Sequence, residues 1–218
     1  MTSSRETPIR VAIVGYGLAG STFHAPFIAT TPGLEVGAVV TRDPERRAQA
    51  RRDHPRARLF DTADELWAQA DEVDLVVIAT PNRTHVPLAR AALTAGRAVV
   101  VDKPFAPTAA EAEALIDEAR RRGLFLTVYH NRRWDGDFIT LRRLVVSGSL
   151  GAVFRLESRF ERWRPTPKGN WRERGDPAEA GGLLYDLGSH LIDQALVLFG
   201  PVRQVYAELD RRSAARLR

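Results

Sequence analysis

Cysteine is absent from the 218 residues. That excludes disulfide scaffolds, thiolate-held iron–sulfur clusters and thiol nucleophiles. Long apolar runs are lacking too, and none approaches the roughly 20 residues of a membrane span. The N-terminal stretch MTSSRETPIR has no apolar segment of the kind a signal peptide needs. The expectation is a cytoplasmic protein with no membrane partner. No His-Glu-x-x-His pair or Cys/His spacing supports a metal site, and no Gly-x-Ser-x-Gly turn supports a serine hydrolase.

Lysine is nearly missing. Of the 32 basic residues only Lys103 and Lys168 are lysines, and the rest are arginine. The net charge of +5 does not mark a nucleic-acid binder, because acids are interleaved with the arginines, as in Arg155, Glu157, Arg159 and Glu161. Mixed charge of this kind is a solvated surface rather than a phosphate-binding stripe. The lysine kept inside Asp102-Lys103-Pro104 matters more. Arginine holds its proton under all ordinary conditions, whereas a buried lysine can titrate near neutrality. Lys103 is therefore a candidate for proton chemistry.

What is present is an alternation of strands and helices. The apolar runs Ile9–Val14, Val36–Thr41, Leu75–Thr80, Ala98–Val101 and Phe125–Tyr129 are rich in β-branched residues, as parallel strands covered on both faces require. Helical patterns separate them. Thr62 with Glu65 and Thr108 with Glu111 have capping-box spacing, and Gly96 and Gly123 stand where helices end. The pattern predicts a doubly wound α/β domain over residues 1–130. Residues 131–218 read differently. Phe138–Val146 and Leu183–Phe199 are predicted helices, and residues 154–161 alternate as a strand with one wet face. A further strand is expected over Val202–Asp210. This second, α+β unit, with a mostly antiparallel sheet, is expected to be incomplete, because two strands and two helices can hardly bury a sheet face.

Gly15-Tyr16-Gly17-Leu18-Ala19-Gly20 follows the first strand directly and opens a helical pattern. In a dinucleotide-binding loop the first glycine makes the tight turn. The second lets a pyrophosphate approach the backbone, and the third lets helix and strand pack closely. The helix start would offer its free N–H groups to the phosphates. After the second strand come Thr41, Arg42 and Asp43. An acid here would hold the ribose of NAD, whereas an arginine would accommodate the 2′-phosphate of NADP. Asp43 can also serve as a helix cap before Pro44. NAD and NADP both stay open, with Arg42 tipping the balance to NADP. Thr80-Pro81-Asn82 and Asp102-Lys103-Pro104 lie at strand carboxyl ends, where open α/β sheets bind ligands.

Asp186 and His190 are four apart in a predicted helix and share a face, which Asp193 continues. An acid can orient an imidazole and favour its charged form; an amphipathic helix with a wet polar stripe would look the same. His24 and His85 fall early in predicted helices beside the cofactor-type loops.

Taken in order, the glycine loop running into Phe23-His24-Ala25-Pro26, then Asp102-Lys103-Pro104-Phe105, Asn131-Arg132-Arg133-Trp134-Asp135 and Asp186…His190…Asp193 resemble the Gfo/Idh/MocA oxidoreductases, in particular their scyllo-inositol dehydrogenase-like branch. The resemblance implies an N-terminal Rossmann domain, a C-terminal domain built on an open sheet through which copies associate, and NAD(P)-dependent hydride exchange with polyols, cyclitols or sugars. It places the catalytic roles on Lys103, Asp186 and His190. It places cofactor contacts on Gly15, Tyr16, Gly17, Leu18, Ala19, Gly20, Thr41, Arg42, Thr80, Pro81, Asn82, His85, Asp102, Lys103 and Asn131. Two departures stand out. Asp102 replaces the glutamate usual in the family's motif, and family members run well beyond residue 218. The alternative is a non-catalytic dinucleotide-binding regulator of the same fold. Such a sensor has no need of Lys103, Asp186 and His190 together.

Overall fold

The computed structural model describes residues 7–161, 163, 166 and 179–209. They fall into two compact units. One holds residues 7–129 with 179–180, and the other holds the remaining described residues from His130 onward.

The first unit is a six-stranded sheet in the order β3-β2-β1-β4-β5-β6. Its strands are β1 (Ile9–Val14), β2 (Leu34–Val40), β3 (Arg58–Phe60), β4 (Leu75–Ile78), β5 (Ala98–Asp102) and β6 (Leu126–Tyr129). Every pairing is parallel. Five of the six strands coincide with the apolar runs of the sequence. The sixth, β3, is a three-residue strand whose Arg-Leu-Phe sequence carries no periodicity to betray it. It is held at the sheet edge, where only one neighbour is needed.

Helices cover both faces. They are α1 (Ala25–Thr30), α2 (Pro44–Asp53), α3 (Ala63–Trp67), α4 (His85–Thr94) and α5 (Ala109–Arg122). The helix ends follow local chemistry. Thr62 and Thr108 accept from the backbone N–H groups of Glu65 and Glu111, both at 3.2 Å. Gly123 ends α5 in the left-handed conformation at φ 65°, which glycine adopts without a Cβ penalty. One core packs Leu66, Leu93 and Leu115, each at 0% exposure, against Val76, Val99 and Val101. Full burial of each leucine is worth about 2–3 kcal/mol. The opposite face buries Val11, Ile13, Val39 and Tyr16. Two buried faces explain why β1, β4 and β5 read as continuous apolar runs rather than alternating ones.

The second unit contains α6 (Gly136–Val146), a π-helical stretch Leu184–Gly188, and α7 (Ser189–Phe199). Arg133 donates twice to the Asp193 carboxylate, at 2.7 and 2.6 Å, and the Gln194 amide donates to the Arg132 carbonyl at 3.0 Å. These bonds tie α7 to the turn Asn131–Trp134. The expected strands over 154–161 and 202–210 are not formed among the described residues. The correction has a simple cause. A strand is defined by its neighbour's hydrogen bonds, and alternation supplies only the faces. Phe154, at 98% exposure, and Tyr206, at 84%, show apolar positions without a partner sheet. Asp210 lies outside the described residues, as do Lys168 and Pro177.

No helix among the described residues is long and apolar enough to cross a membrane. No group of three potential metal ligands occurs among them either.

Candidate functional site

Because all six strands run parallel, the loops after β1, β2, β4 and β5 emerge at one edge of the sheet. The strand order reverses between β1 and β4, which opens the crevice where doubly wound sheets bind ligands. The first-unit candidates gather there.

The three glycines of the first loop have different reasons to be glycine. Gly15 has φ 96°, and a Cβ on it would lie 2.6 Å from the Ala79 carbonyl oxygen. A Cβ on Gly20 would lie 2.0 Å from the Gly15 carbonyl oxygen. Both are dictated by the chain's own packing. Gly17 is not. A Cβ there would meet only the Arg46 guanidinium, at 3.7 Å. The protein leaves this position open, as a backbone cradle for a pyrophosphate must be left open. The residues thus fit a dinucleotide.

Tyr16, between the first two glycines, turns inward. It is 1% exposed, and its hydroxyl donates to the Asp53 carboxylate at 3.2 Å. Burial raises its pKa, and the nearby Asp53 charge adds to the shift. Only its backbone remains for a ligand. Leu18 is exposed at 66%. Ala19 begins a π-helical stretch, Ala19–His24, which runs into α1. The sequence suggested an ordinary α-helix here.

Asp43 is the N-cap of α2, accepting from the Arg46 backbone N–H at 2.9 Å, with Pro44 in the first turn. Its carboxylate is engaged with the helix, the second of the two roles the sequence left open. Thr41 is buried, and its carbonyl accepts from Arg47 at 3.2 Å. Arg47 also pairs with Asp61. Arg42 is exposed. Sequence reasoning missed Arg46. The clue was its place in the first turn of the helix after β2, which brings a guanidinium back over the glycine loop.

After β4, the Thr84 hydroxyl donates to the Thr80 hydroxyl at 2.7 Å. Asn82 is buried, and its amide donates to the Ala180 carbonyl at 2.8 Å. Arg83 pairs with Glu179. One N–H of the Asn82 amide is therefore taken by the chain itself. His85 is 1% exposed, and its two ring nitrogens lie 2.8 Å from the Pro104 carbonyl and 2.9 Å from the Thr80 carbonyl. Neither nitrogen faces outward to a cofactor. After β5, Asp102 accepts from the Lys103 backbone N–H at 2.8 Å. The Lys103–Pro104 peptide is cis.

A buried His24 also reaches this edge. Its ring packs on Tyr129 with centroids 4.2 Å apart, and the Tyr129 hydroxyl donates to the Phe23 carbonyl at 2.9 Å. Burial lowers the pKa of both His24 and His85, opposed at His24 by Asp102 and at His85 first by the Pro104 and Thr80 carbonyls and then by Asp102. The consequence for stability has a definite sign. In the unfolded chain a histidine titrates near 6.5. The native state resists that proton, so the unfolded state binds more protons between the lowered native values and about 6.5. The histidine contribution is complete above about pH 6.5 and is lost as pH falls through that window. The thermal midpoint is thus expected to rise with pH up to about 6.5, with a shallower rise in His24→Phe. A midpoint that fell as pH rose would contradict this reading of the buried rings.

In the second unit, Asp186 lies in the π-helical stretch and His190 in the first turn of α7, where it is 6% exposed. Asp193 does not continue a wet stripe, since Arg133 takes its carboxylate, and the His130 ring lies 3.7 Å away. Asn131 opens the turn before α6. A shallow groove of about 470 Å³ runs along α4 beside Trp67, Pro87 and Arg90. It holds none of the candidate residues.

The fold and the open glycine loop define a dinucleotide-binding protein of the Rossmann class. The comparisons agree. Residues 9–130 match the oxidoreductase family with an NAD-binding Rossmann fold, and residues 138–216 match the GFO/IDH/MocA C-terminal domain. The chain belongs to the Gfo/Idh/MocA oxidoreductase family. It is 49% identical over 192 residues to the uncharacterised oxidoreductase YdgJ of Escherichia coli (strain K12), covering 88% of this chain and 54% of that one. It is 39% identical over 201 residues to scyllo-inositol 2-dehydrogenase (NADP(+)) IolW of Bacillus subtilis (strain 168), covering 92% and 54%. Among solved structures, the NAD-binding protein from Listeria innocua superposes with a TM-score of 0.80 at 36% identity, covering 88% and 55%. The chain spans about half the length of these relatives.

Proposed function

We propose that this chain carries the cofactor site and the acid–base residues of a nicotinamide-dependent dehydrogenase acting on a polyol, cyclitol or sugar hydroxyl. One observation carries the reading. The sheet brings an open glycine cradle at Gly17 and the rare lysine, Lys103, to the same strand-end edge. Similarity to an inositol dehydrogenase supports the substrate class. We further propose a division near residue 130, a mostly antiparallel sheet in the second domain, association of copies through that sheet, and a cytoplasmic location.

When bound, the nicotinamide supplies the acceptor for the hydride of the alcohol carbon. The chain's own residues deal with the proton. Lys103 polarises the hydroxyl oxygen through its ammonium. His190 takes the hydroxyl proton, since an imidazole starts near the working pH, and Asp186 orients the ring. The exchange of roles, with Lys103 as base, is chemically close. Thr80 and Asp102, at the ends of two neighbouring strands, would be the residues that hold the nicotinamide end.

The reading favours NADP. Asp43 caps a helix through one carboxylate oxygen, while Arg42 is exposed and Arg46 stands over the loop. Arg42→Ala is expected to weaken NADPH binding more than NADH binding, because a charge-assisted phosphate contact is lost. Calorimetric titration of both cofactors checks this, and equal losses would remove Arg42 from the 2′-phosphate site. The function itself is tested by following nicotinamide absorbance with a panel of inositols and sugars and both cofactors. The assay is run on this chain and on one extended to its relatives' length. Reduction of NADP by at least one polyol is expected. Tight cofactor binding with no reduction by any of them would favour the regulator.

A further inference from the structure

His85 is a buried titratable group that the proposed chemistry leaves unused. It heads α4, between two loops that reach the site from different strands. Nδ1 lies 2.8 Å from the Pro104 carbonyl oxygen and Nε2 lies 2.9 Å from the Thr80 carbonyl oxygen. A carbonyl oxygen can only accept. A neutral imidazole has one N–H and one lone pair, so it can bond one of these carbonyls while its lone pair faces the other. Only the imidazolium, with two N–H groups, bonds both. We propose that His85 is the positioning residue of the lysine loop, a two-armed clamp that holds the Thr80 carbonyl at the end of β4 and the Pro104 carbonyl beside Lys103 at a fixed separation.

The clamp acts on Lys103 through the backbone. The bonded carbonyl belongs to the Pro104–Phe105 peptide, one peptide beyond Lys103, and the proline ring, with its fixed φ, carries that restraint back to the lysine. The Lys103 backbone N–H is held on its other side by the Asp102 carboxylate at 2.8 Å. The charged groups that bear on the ring are Asp102, which favours its protonation, and Lys103, which opposes it; burial opposes it most. The protonated ring holds both loops, and the neutral ring lets one go. Only the catalytic consequence rests on the dehydrogenase reading. The clamp itself is a statement about two carbonyls and a ring.

The scarcity of lysine makes the test direct. Reductive ¹³C-methylation of the 218-residue chain labels Lys103, Lys168 and the N-terminus, so Lys103 can be followed by its methyl resonance and assigned by Lys168→Arg. Long-range ¹H–¹⁵N correlation spectra of the ring report the number of N–H protons on His85. The expected result is two ring N–H protons at the acid end and one at the alkaline end. An inflection of the Lys103 resonance, absent for Lys168, should appear at the same pH. His85→Gln keeps an uncharged donor nitrogen that can reach one carbonyl at a time, and His85→Ala keeps none. With the ring charge absent in both variants, the glutamine variant should leave the Lys103 resonance near its alkaline wild-type position. The alanine variant should displace it and broaden it. A ring that never carries two N–H protons overturns the clamp. So does a Lys103 resonance that ignores the His85 titration, or one that is the same in both variants. The spectra of the unsubstituted chain decide the matter even if the alanine variant does not fold. No readout uses turnover, so failure of the clamp and failure of the dehydrogenase reading are separate results.

Discussion

Replacing Lys103 with methionine is expected to cut turnover by about a hundred- to ten-thousand-fold, the usual loss for one positioned acid–base group. Cofactor affinity should stay nearly unchanged. The measurement is steady-state turnover and cofactor dissociation constant across pH, in a chain extended to the length of its relatives. Lys103→Arg separates two explanations. Arginine keeps the positive charge but cannot give up and recover a proton near neutral pH, and its planar fork is bulkier than an ammonium. If Lys103 only polarises the substrate oxygen, the arginine variant should recover part of the loss. If it relays the proton, arginine should be nearly as damaging as methionine. Near-normal turnover in Lys103→Arg would rule out relay, and His190 would carry the proton transfer without it.

The second large effect is at the glycine loop, where the three positions should fail in different ways. Gly17→Val should fold with a near-normal thermal midpoint, because its Cβ has room beside Arg46, 3.7 Å away. It should lose dinucleotide binding altogether, since the branched side chain occupies the path of the pyrophosphate. Gly20→Ala should fail earlier. Its Cβ would stand 2.0 Å from the Gly15 carbonyl, so the loop must move or the domain must loosen. Calorimetric titration with circular dichroism distinguishes the cases. Undiminished binding by a folded Gly17→Val protein would sink the assignment of the loop.

Much of the first unit was legible from the chain alone. Buried parallel strands need side chains that are apolar on both faces, so β1, β4 and β5 stand out in the sequence without further information. Thr62, Thr108 and Gly123 announce helix ends, because capping depends on a few adjacent residues. What stayed hidden depended on partners distant in sequence. The edge strand β3 is a strand because β2 is beside it. The alternation over 154–161 showed which side chains share a face, but no sequence pattern can provide the neighbour a ladder requires.

The site divides the same way. The glycine loop carries its spacing and the expected part of each glycine in the sequence, and the packing adds that a Cβ on Gly15 or Gly20 would strike the chain itself while one on Gly17 would not. Asn82 and His85 show the limit most clearly. The family resemblance placed cofactor contacts on both. In the fold the Asn82 amide is directed at the Ala180 carbonyl and the His85 ring at two backbone carbonyls. Arg46 shows the reverse, an ordinary helix residue in the sequence that the fold returns to the glycine loop.

The most direct test of the account follows the hydride itself. The extended chain would be incubated with NADP and an inositol deuterated at its ring carbons, and the recovered nicotinamide examined by NMR. The account predicts deuterium at nicotinamide C4, absent when Lys103 is methionine. Cofactor bound at full occupancy, with no deuterium transferred from any polyol or sugar offered, would contradict it.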